Sequence, residues 1–148
     1  MTKCYSAGDF RKYFNENMQD LGLPVPSTLF DTYQKAVETV SLMVGALAHL
    51  SKGATMGELM GATFGLEKLV VVASIGAAAY TGAVIGSIAV ATGRSLACGS
   101  RIADVLLFVH QNHLQFDGYS TFYRNNPQIW DKRQTFRQSF AVRAKNSP

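Results

Sequence analysis

Among the side chains of this sequence able to make or break bonds, three stand together: His110, His113 and Asp117. Two histidines three residues apart share a helix face, and the carboxylate comes one turn later, which is the outline of a metal site. No further ligand stands nearby, so the expectation is solvated histidines at a helix end rather than a bound metal. Cys98 sits in Leu96-Ala97-Cys98-Gly99, where a cysteine behaves as a small hydrophobe. Cys4 is the other cysteine; nothing in the spacing of the two argues for a disulfide, and no zinc pattern is present. The chain has no phosphate loop, dinucleotide fingerprint or nucleophile elbow. His49 lies in a small-residue run and reads as a core histidine with a polar partner, the alternative being one that faces water inside an assembly. No enzyme and no cofactor are expected, and the chemistry that remains is that of packing.

The element that governs packing is the run Leu69–Gly93, which has no charged residue and is bounded by Lys68 and Arg94. As one helix it would span about 37 Å, enough for a hydrocarbon core of roughly 30 Å. Its strongly apolar residues are Leu69, Val70, Val71, Val72, Ile75, Val84, Ile85, Ile88 and Val90. At roughly −0.3 to −0.6 kcal/mol each they supply about −4 kcal/mol of insertion free energy. Glycine, serine and threonine fill much of the rest and oppose it. The run is long enough to span a membrane and weak enough to stay in water when covered.

Small residues recur in it every four positions. Ser74, Ala78, Gly82 and Gly86 fall on one helix face, and Gly93 continues the series after a change of step. Gly82 and Gly86 form a GxxxG pair, the pattern that lets two backbones approach closely in lipid. Upstream, Gly45, Gly53, Gly57, Gly61 and Gly65 keep the same step with His49 in the gap. Each glycine in a helix interior costs about 1 kcal/mol relative to alanine. Close contact along both ladders is expected to offset that cost, either between helices of one soluble core or between copies in a membrane.

Composition places the chain between soluble and membrane proteins: 47% hydrophobic and only 16% charged, against about 25% charged for an ordinary soluble domain. The net charge of +4 is carried by residues 111–148, whose Lys and Arg are Arg124, Lys132, Arg133, Arg137, Arg143 and Lys145, against Asp117 and Asp131. A basic tail suits an anionic lipid surface or an acidic partner; nucleic acid would call for a larger patch and is not expected. Met1–Arg11 is polar, with no apolar h-region of a signal peptide. Action on a membrane outside the producing cell would therefore need another route.

With 148 residues, one all-α domain is expected, a small helical bundle around an apolar glycine-zipper hairpin, in three parts. Residues 1–26 give a helix from Ser6 to Asp20, capped by Ser6 with Asp9 and stopped by Gly22, and a stiff Pro24-Val25-Pro26 connector. Residues 27–112 give the glycine-zipper core. In it a helix runs over 28–51 with Ser27 as cap, and a second starts at the Thr55/Glu58 capping box. That second helix either continues to Gly93 or breaks near Gly76. A last helix, Leu96–His110, carries Arg101 and Asp104 three apart, and forms a hairpin with the run before it. Residues 113–148 give a basic aromatic tail. There Asp117-Gly118 signals a small β-hairpin, and Asn126-Pro127 opens a helix over 127–145, or a strand through Phe136, Phe140 and Val142.

A small chain without a signal peptide that stacks one glycine ladder (Gly45 to Gly65) on another (Ser74 to Gly86) resembles the pore-forming antibacterial effectors of type VI secretion. The resemblance covers residues 45–97. It implies delivery through the secretion tube inside its Hcp protein, a cognate immunity protein in the producer's membrane, and depolarisation of a target cell's inner membrane from the periplasm. From the residues themselves, the expected mechanism is a soluble form that buries the apolar hairpin, then insertion and association of copies through the glycine ridges. Ser74, Thr81 and Thr92 fall on one face and could wet a small-ion pore; Ile85 and Ile88 share that face, and no ring of charge predicts ion selectivity. Leucine at Gly82 and Gly86 is expected to abolish leakage. Two other readings stand beside this one: a soluble helical adaptor dimerised through its glycine ridges, and a resident holin-like membrane protein.

Overall fold

The computed structural model describes residues 10–23, 29–51, 53–64, 75–92, 102–131, 134, 137 and 139–146. The fold is all-α. In order the helices are α1 (Phe10–Asp20), α2 (Tyr33–Leu47), α3 (Met56–Phe64), α4 (Ala77–Thr92), α5 (Ile102–Gln111), α6 (Tyr119–Asn125) and α7 (Ser139–Asn146), with a 3₁₀ turn at Pro127–Ile129. Among the described residues there is no strand, only a single bridge between Thr55 and Gly76.

Everything is arranged around α4. Its sequence, AAAYTGAVIGSIAVAT, has no charge and no polar face, and a helix apolar on all sides must be covered on all sides. Of its residues only Ala78 is exposed; Ala79, Ala89 and Thr92 are half-buried, and the rest are buried. The broadest contacts come from α1 and α2, with α3, α5, α6 and the 3₁₀ turn completing the cover.

The covering helices are amphipathic. Along α1, Phe14, Met18 and Leu21 recur at helical spacing and are fully buried. The helix stops at Gly22 as its sequence predicts: with φ 76° at Gly22, Leu23 N–H donates to Met18 O at 3.0 Å and Gly22 N–H to Gln19 O at 2.9 Å. That pair of bonds is a Schellman motif, and it tucks Leu23 into the core. The Ser6/Asp9 cap and the Pro24–Pro26 connector lie outside the described residues. So does Ser27, and α2 is instead capped at Thr32, whose hydroxyl accepts from Lys35 N–H at 3.1 Å. Its buried face is Ala36, Thr39, Val40 and Met43.

The chain from Thr55 to Thr92 is not one helix, because Ile75 and Gly76, just ahead of α4, are not helical. Thr55 caps α3, accepting from Glu58 N–H at 3.3 Å. Residues 75–77 then run beside 54–56: Met56 N–H donates to Ile75 O at 2.6 Å and Ala77 N–H to Ala54 O at 2.9 Å. Thus α3 and α4 start side by side, and Gly76 N–H reaches Ala144 O of α7 at 3.2 Å. Helix α5 contacts α4 and buries Val105 and Val109; the turn of the expected hairpin, with Arg101, lies outside the described residues.

The tail departs from expectation twice. Asp117-Gly118 opens no hairpin. Gly118 adopts a left-handed φ of 78° and leads straight into α6, because Tyr119, Phe122 and Tyr123 beyond it repeat at three and four, the period of a helix and not of a strand. Nor is 127–145 one helix. Asn126 turns its amide back to Phe122 O at 2.8 Å, Pro127–Ile129 makes only a 3₁₀ turn, and the Gln128 and Ile129 carbonyls accept from the Arg137 side chain. Helix resumes as α7, so Phe140 and Val142 are helical rather than extended.

Candidate helix-packing site

The glycine ridge of α4 is filled by the tail. A Cβ built on Gly82 would lie 2.8 Å from Phe122 Cζ and nearer still to Cε2. A Cβ on Gly86 would fall 3.7 Å from Ile129 Cβ, 3.4 Å from Tyr123 Cε1, and inside the Ile129 Cγ2 methyl. The approaches to the Phe122 ring and to the Ile129 Cγ2 methyl are shorter than carbons tolerate, so a side chain at either position would require those neighbours to shift. Helix α6 and the 3₁₀ turn deliver the fillers: the neighbouring Phe122 and Tyr123 of α6 reach Gly82 and Gly86, and Pro127–Ile129 brings Ile129 onto the ridge.

Polar bonds hold the fillers in place. Tyr123 Oη donates to Gly82 O at 2.7 Å, and Trp130 Nε1 donates to Tyr123 O at 2.9 Å. Burial pushes the Tyr123 phenol well above its ordinary value, with a backbone hydrogen bond at Gly86 opposing it; Tyr123 therefore remains a neutral donor at physiological pH. Phe116, Phe122, Tyr123 and Phe140 form edge-to-face pairs around it.

A buried polar network ties the same tail to α1 and α4. Arg137 donates through Nε to Gln128 O at 2.8 Å, through Nη1 to Asp20 Oδ2 at 3.0 Å, and through Nη2 to Asn17 Oδ1. Asn17 Nδ2 donates to Ser87 Oγ at 2.7 Å and Ile129 O at 3.0 Å, and Ser87 Oγ donates to Met18 Sδ at 3.2 Å. Asn17 and Ser87 are fully buried, and Arg137 nearly so. Sequence reasoning missed all three. The available signal was placement: Asn17 interrupts the apolar stripe of α1, and Ser87 sits inside the run Val84–Val90.

The remaining expected site residues are scattered. Gly45 belongs to α2, Gly53 to the turn after it, and Gly57 and Gly61 to α3, so the upstream ladder crosses a break and is not one ridge. Gly45, Gly53 and Gly61 are exposed, and a Cβ on any of them would meet nothing within 4 Å. Gly57 is half-buried. Gly65, Ser74 and Gly93 lie outside the described residues. Ala78 comes to the surface beside a cavity of about 610 Å³ bounded by Val44, Leu47, Phe116 and Asp117. Of the proposed pore-lining hydroxyls, Thr81 is buried and donates to Ala77 O at 2.8 Å, and Thr92 donates to Ile88 O at 2.9 Å. Both are satisfied by their own helix.

His49 is exposed, which overturns the core-histidine expectation: α2 ends at Leu47, and the residue falls in the turn. His110 Nδ1 lies 2.9 Å from Gln115 Nε2, and His113 adopts φ 56° in the loop after α5. Among the described residues no group of three or more His, Cys, Asp or Glu converges as metal ligands; Cys4 and Cys98 lie outside them. No helix of the described residues is long and apolar enough to cross a membrane. Comparison with family models, with curated proteins and with solved structures finds no match.

Proposed function

We propose that this protein is an antibacterial pore-forming toxin, stored with its apolar helix wrapped and active at the inner membrane of a target cell, where it opens a small-ion leak. The observation that carries the reading is α4: an uncharged helix at the centre, covered from every side by amphipathic elements. Lipid can replace that cover, because hydrocarbon satisfies an apolar helix as well as a protein core does. As it stands α4 is short, about 24 Å at 1.5 Å per residue. The uncharged sequence runs on from Leu69 to Gly93, so insertion requires the whole run to become one helix.

Magnitudes constrain how insertion starts. A domain of this size is held by about 5–15 kcal/mol, and the apolar residues of the run supply only about −4 kcal/mol. Insertion alone does not open the fold. The basic tail adds about 1 kcal/mol per Lys or Arg near an anionic surface, and with five such residues besides Arg137 the total becomes comparable to the stability. Leakage is therefore expected to depend steeply on anionic lipid and to fall with salt. Delivery through an Hcp-type tube, homo-oligomerisation in the membrane and protection by an immunity membrane protein belong to the same reading.

A soluble adaptor is the second reading. One observation favours a soluble form but removes the α4 ridge as its dimer contact: Gly82 and Gly86 already have partners within the chain, so their presence needs neither a membrane nor a second copy. The two readings separate on one measurement: membrane potential in bacteria producing the chain, once in the cytoplasm and once with an added periplasmic signal. The toxin depolarises cells from the periplasm without releasing large cytoplasmic molecules. Unchanged potential in both compartments, with the protein present, leaves the adaptor.

A further inference from the structure

We infer that residues 119–131 are a built-in competitor for the face of α4 on which a second copy of this chain would dock, so that association of copies requires the tail to leave first. The inference rests on the proposed pore reading for its purpose but not for its test.

The constraint is one of volume. A GxxxG face accepts another helix only when its grooves are empty. Here Gly82 is filled by the Phe122 ring, and Gly86 by Ile129 with the edge of Tyr123. The contacts are closer than any side chain would allow, so no second helix fits while they are made. The occupant also engages the ridge backbone, through Tyr123 Oη to Gly82 O. Two copies and one tail thus compete for the same surface, and the folded chain alone gives the tail the advantage of proximity.

The competitor is latched through the backbone of the turn that carries its own contact residue, Ile129. Arg137 lies beyond it in sequence and grips Gln128 O and Ile129 O on one side, Asn17 and Asp20 of α1 on the other. One guanidinium thus holds the 3₁₀ turn against α1 and, through Asn17 and Ser87, against α4. An element held only by apolar contact would slide off as lipid replaced it. This one has to break charge-assisted bonds whose partners are then unpaired, which makes release a discrete step.

The test uses the full chain in a background with Cys4→Ser and Cys98→Ala. In that background Gly86→Cys with Ile129→Cys places two Cβ atoms about where a disulfide needs them, since the 3.7 Å separation matches the usual mean near 3.8 Å. Oxidised and reduced forms of one chain are compared for cross-linked dimer yield on anionic vesicles, with dye leakage recorded in parallel. The oxidised clip should give at least tenfold less dimer than the reduced form. Arg137→Gln, which leaves both glycines intact and removes the latch, should raise dimer yield severalfold over the native chain while helicity by circular dichroism is retained. Native-level dimer yield from the oxidised form, with the tail pinned on the ridge, overturns the inference. So does a folded Arg137→Gln chain with native dimer yield. Dimer yields that shift as expected without any leakage overturn the pore reading and leave the competition standing.

Discussion

The two glycine ladders of this chain share a spacing and differ in everything else. Along α4, Gly82 and Gly86 are buried and their missing Cβ atoms are replaced by Phe122 and Ile129. Across α2, the turn after it and α3, the glycines at 45, 53 and 61 face open space, and near Gly45 the side chain of Leu42 is 60% exposed. Both ladders carry the same helix-propensity cost in their helical members. In α4 close packing returns it within one molecule. At Gly45 of α2 and Gly61 of α3 the described fold returns nothing. A four-residue glycine step therefore marks where a close approach is possible, not where one is made, and what distinguishes the ladders is whether another segment carries side chains shaped to enter.

The largest effect that would break this contrast is overpacking. Gly82→Leu with Gly86→Leu should destabilise the isolated chain by about 4 kcal/mol, since each leucine must displace a core side chain and one such insertion typically costs about 1–3 kcal/mol. The urea midpoint measures it, and a native midpoint would show that the tail does not occupy the ridge. This also changes what the pair can say about leakage: loss of activity in that variant mixes a broken zipper with a broken fold. Next in size is the polar latch. Arg137→Met should cost about 2–3 kcal/mol, because Asn17 Oδ1 and the Gln128 carbonyl lose their donor in a dry site, while Ile129 O keeps Asn17 Nδ2. The companion Asp20→Asn should cost far less, because its carboxylate side of the pair is 44% exposed and solvent screens it. If the two variants cost the same, the strength lies in the surface ion pair and not in the buried amide.

Much of this architecture was legible in the sequence. The amphipathic stripe of α1, its stop at Gly22, the Thr55/Glu58 start of α3 and the centrality of the uncharged run all come from periodicity and capping, which act over a few residues. Two things were not. The occupant of the ridge comes from far along the chain, Tyr123 standing 41 residues beyond Gly82, and no local pattern says that Phe122 faces Gly82. The Asn17–Arg137 bond joins opposite ends of the chain, and a polar residue in an apolar stripe tells only that a partner exists. Asp117-Gly118 misled because a turn dipeptide fixes a change of direction without choosing between helix and strand for the residues beyond it. The aromatic spacing of Tyr119, Phe122 and Tyr123 made that choice.

A smaller effect sharpens the role of Tyr123. Tyr123→Phe removes the hydrogen bond to Gly82 O and the backbone one at Gly86, while both backbone groups sit in the helix, so about 1 kcal/mol is expected. Its pH signature is more specific. Burial raises the folded phenol above the ordinary 10.0, so below that value both states hold the proton and pH has no effect through this group. Above it the unfolded chain ionises first, and native stability should fall by up to about 1.4 kcal/mol per pH unit. Denaturant midpoints between about pH 9 and 11, a window that brackets the ordinary phenol value, should therefore drop less steeply in Tyr123→Phe than in the native chain. Parallel curves would place the phenol in water.

The smallest effect lies on the other ladder, and there the sign reverses. Gly45→Ala in α2 and Gly61→Ala in α3 add a methyl to open space at helical positions, so each should stabilise the chain by about 0.5–1 kcal/mol. The gain comes from a narrower unfolded ensemble and a better helix former, with no contact made or lost. These substitutions separate the fold from the function in a way the α4 pair cannot. A chain that is more stable and still leaks from anionic vesicles at the native rate has outer glycines with no part in assembly. One that is more stable but leaks severalfold less has lost a contact made only between copies, since within one copy those positions touch nothing. Destabilisation by either alanine would contradict the open surroundings of Gly45 and Gly61, and with them the contrast between the two ladders.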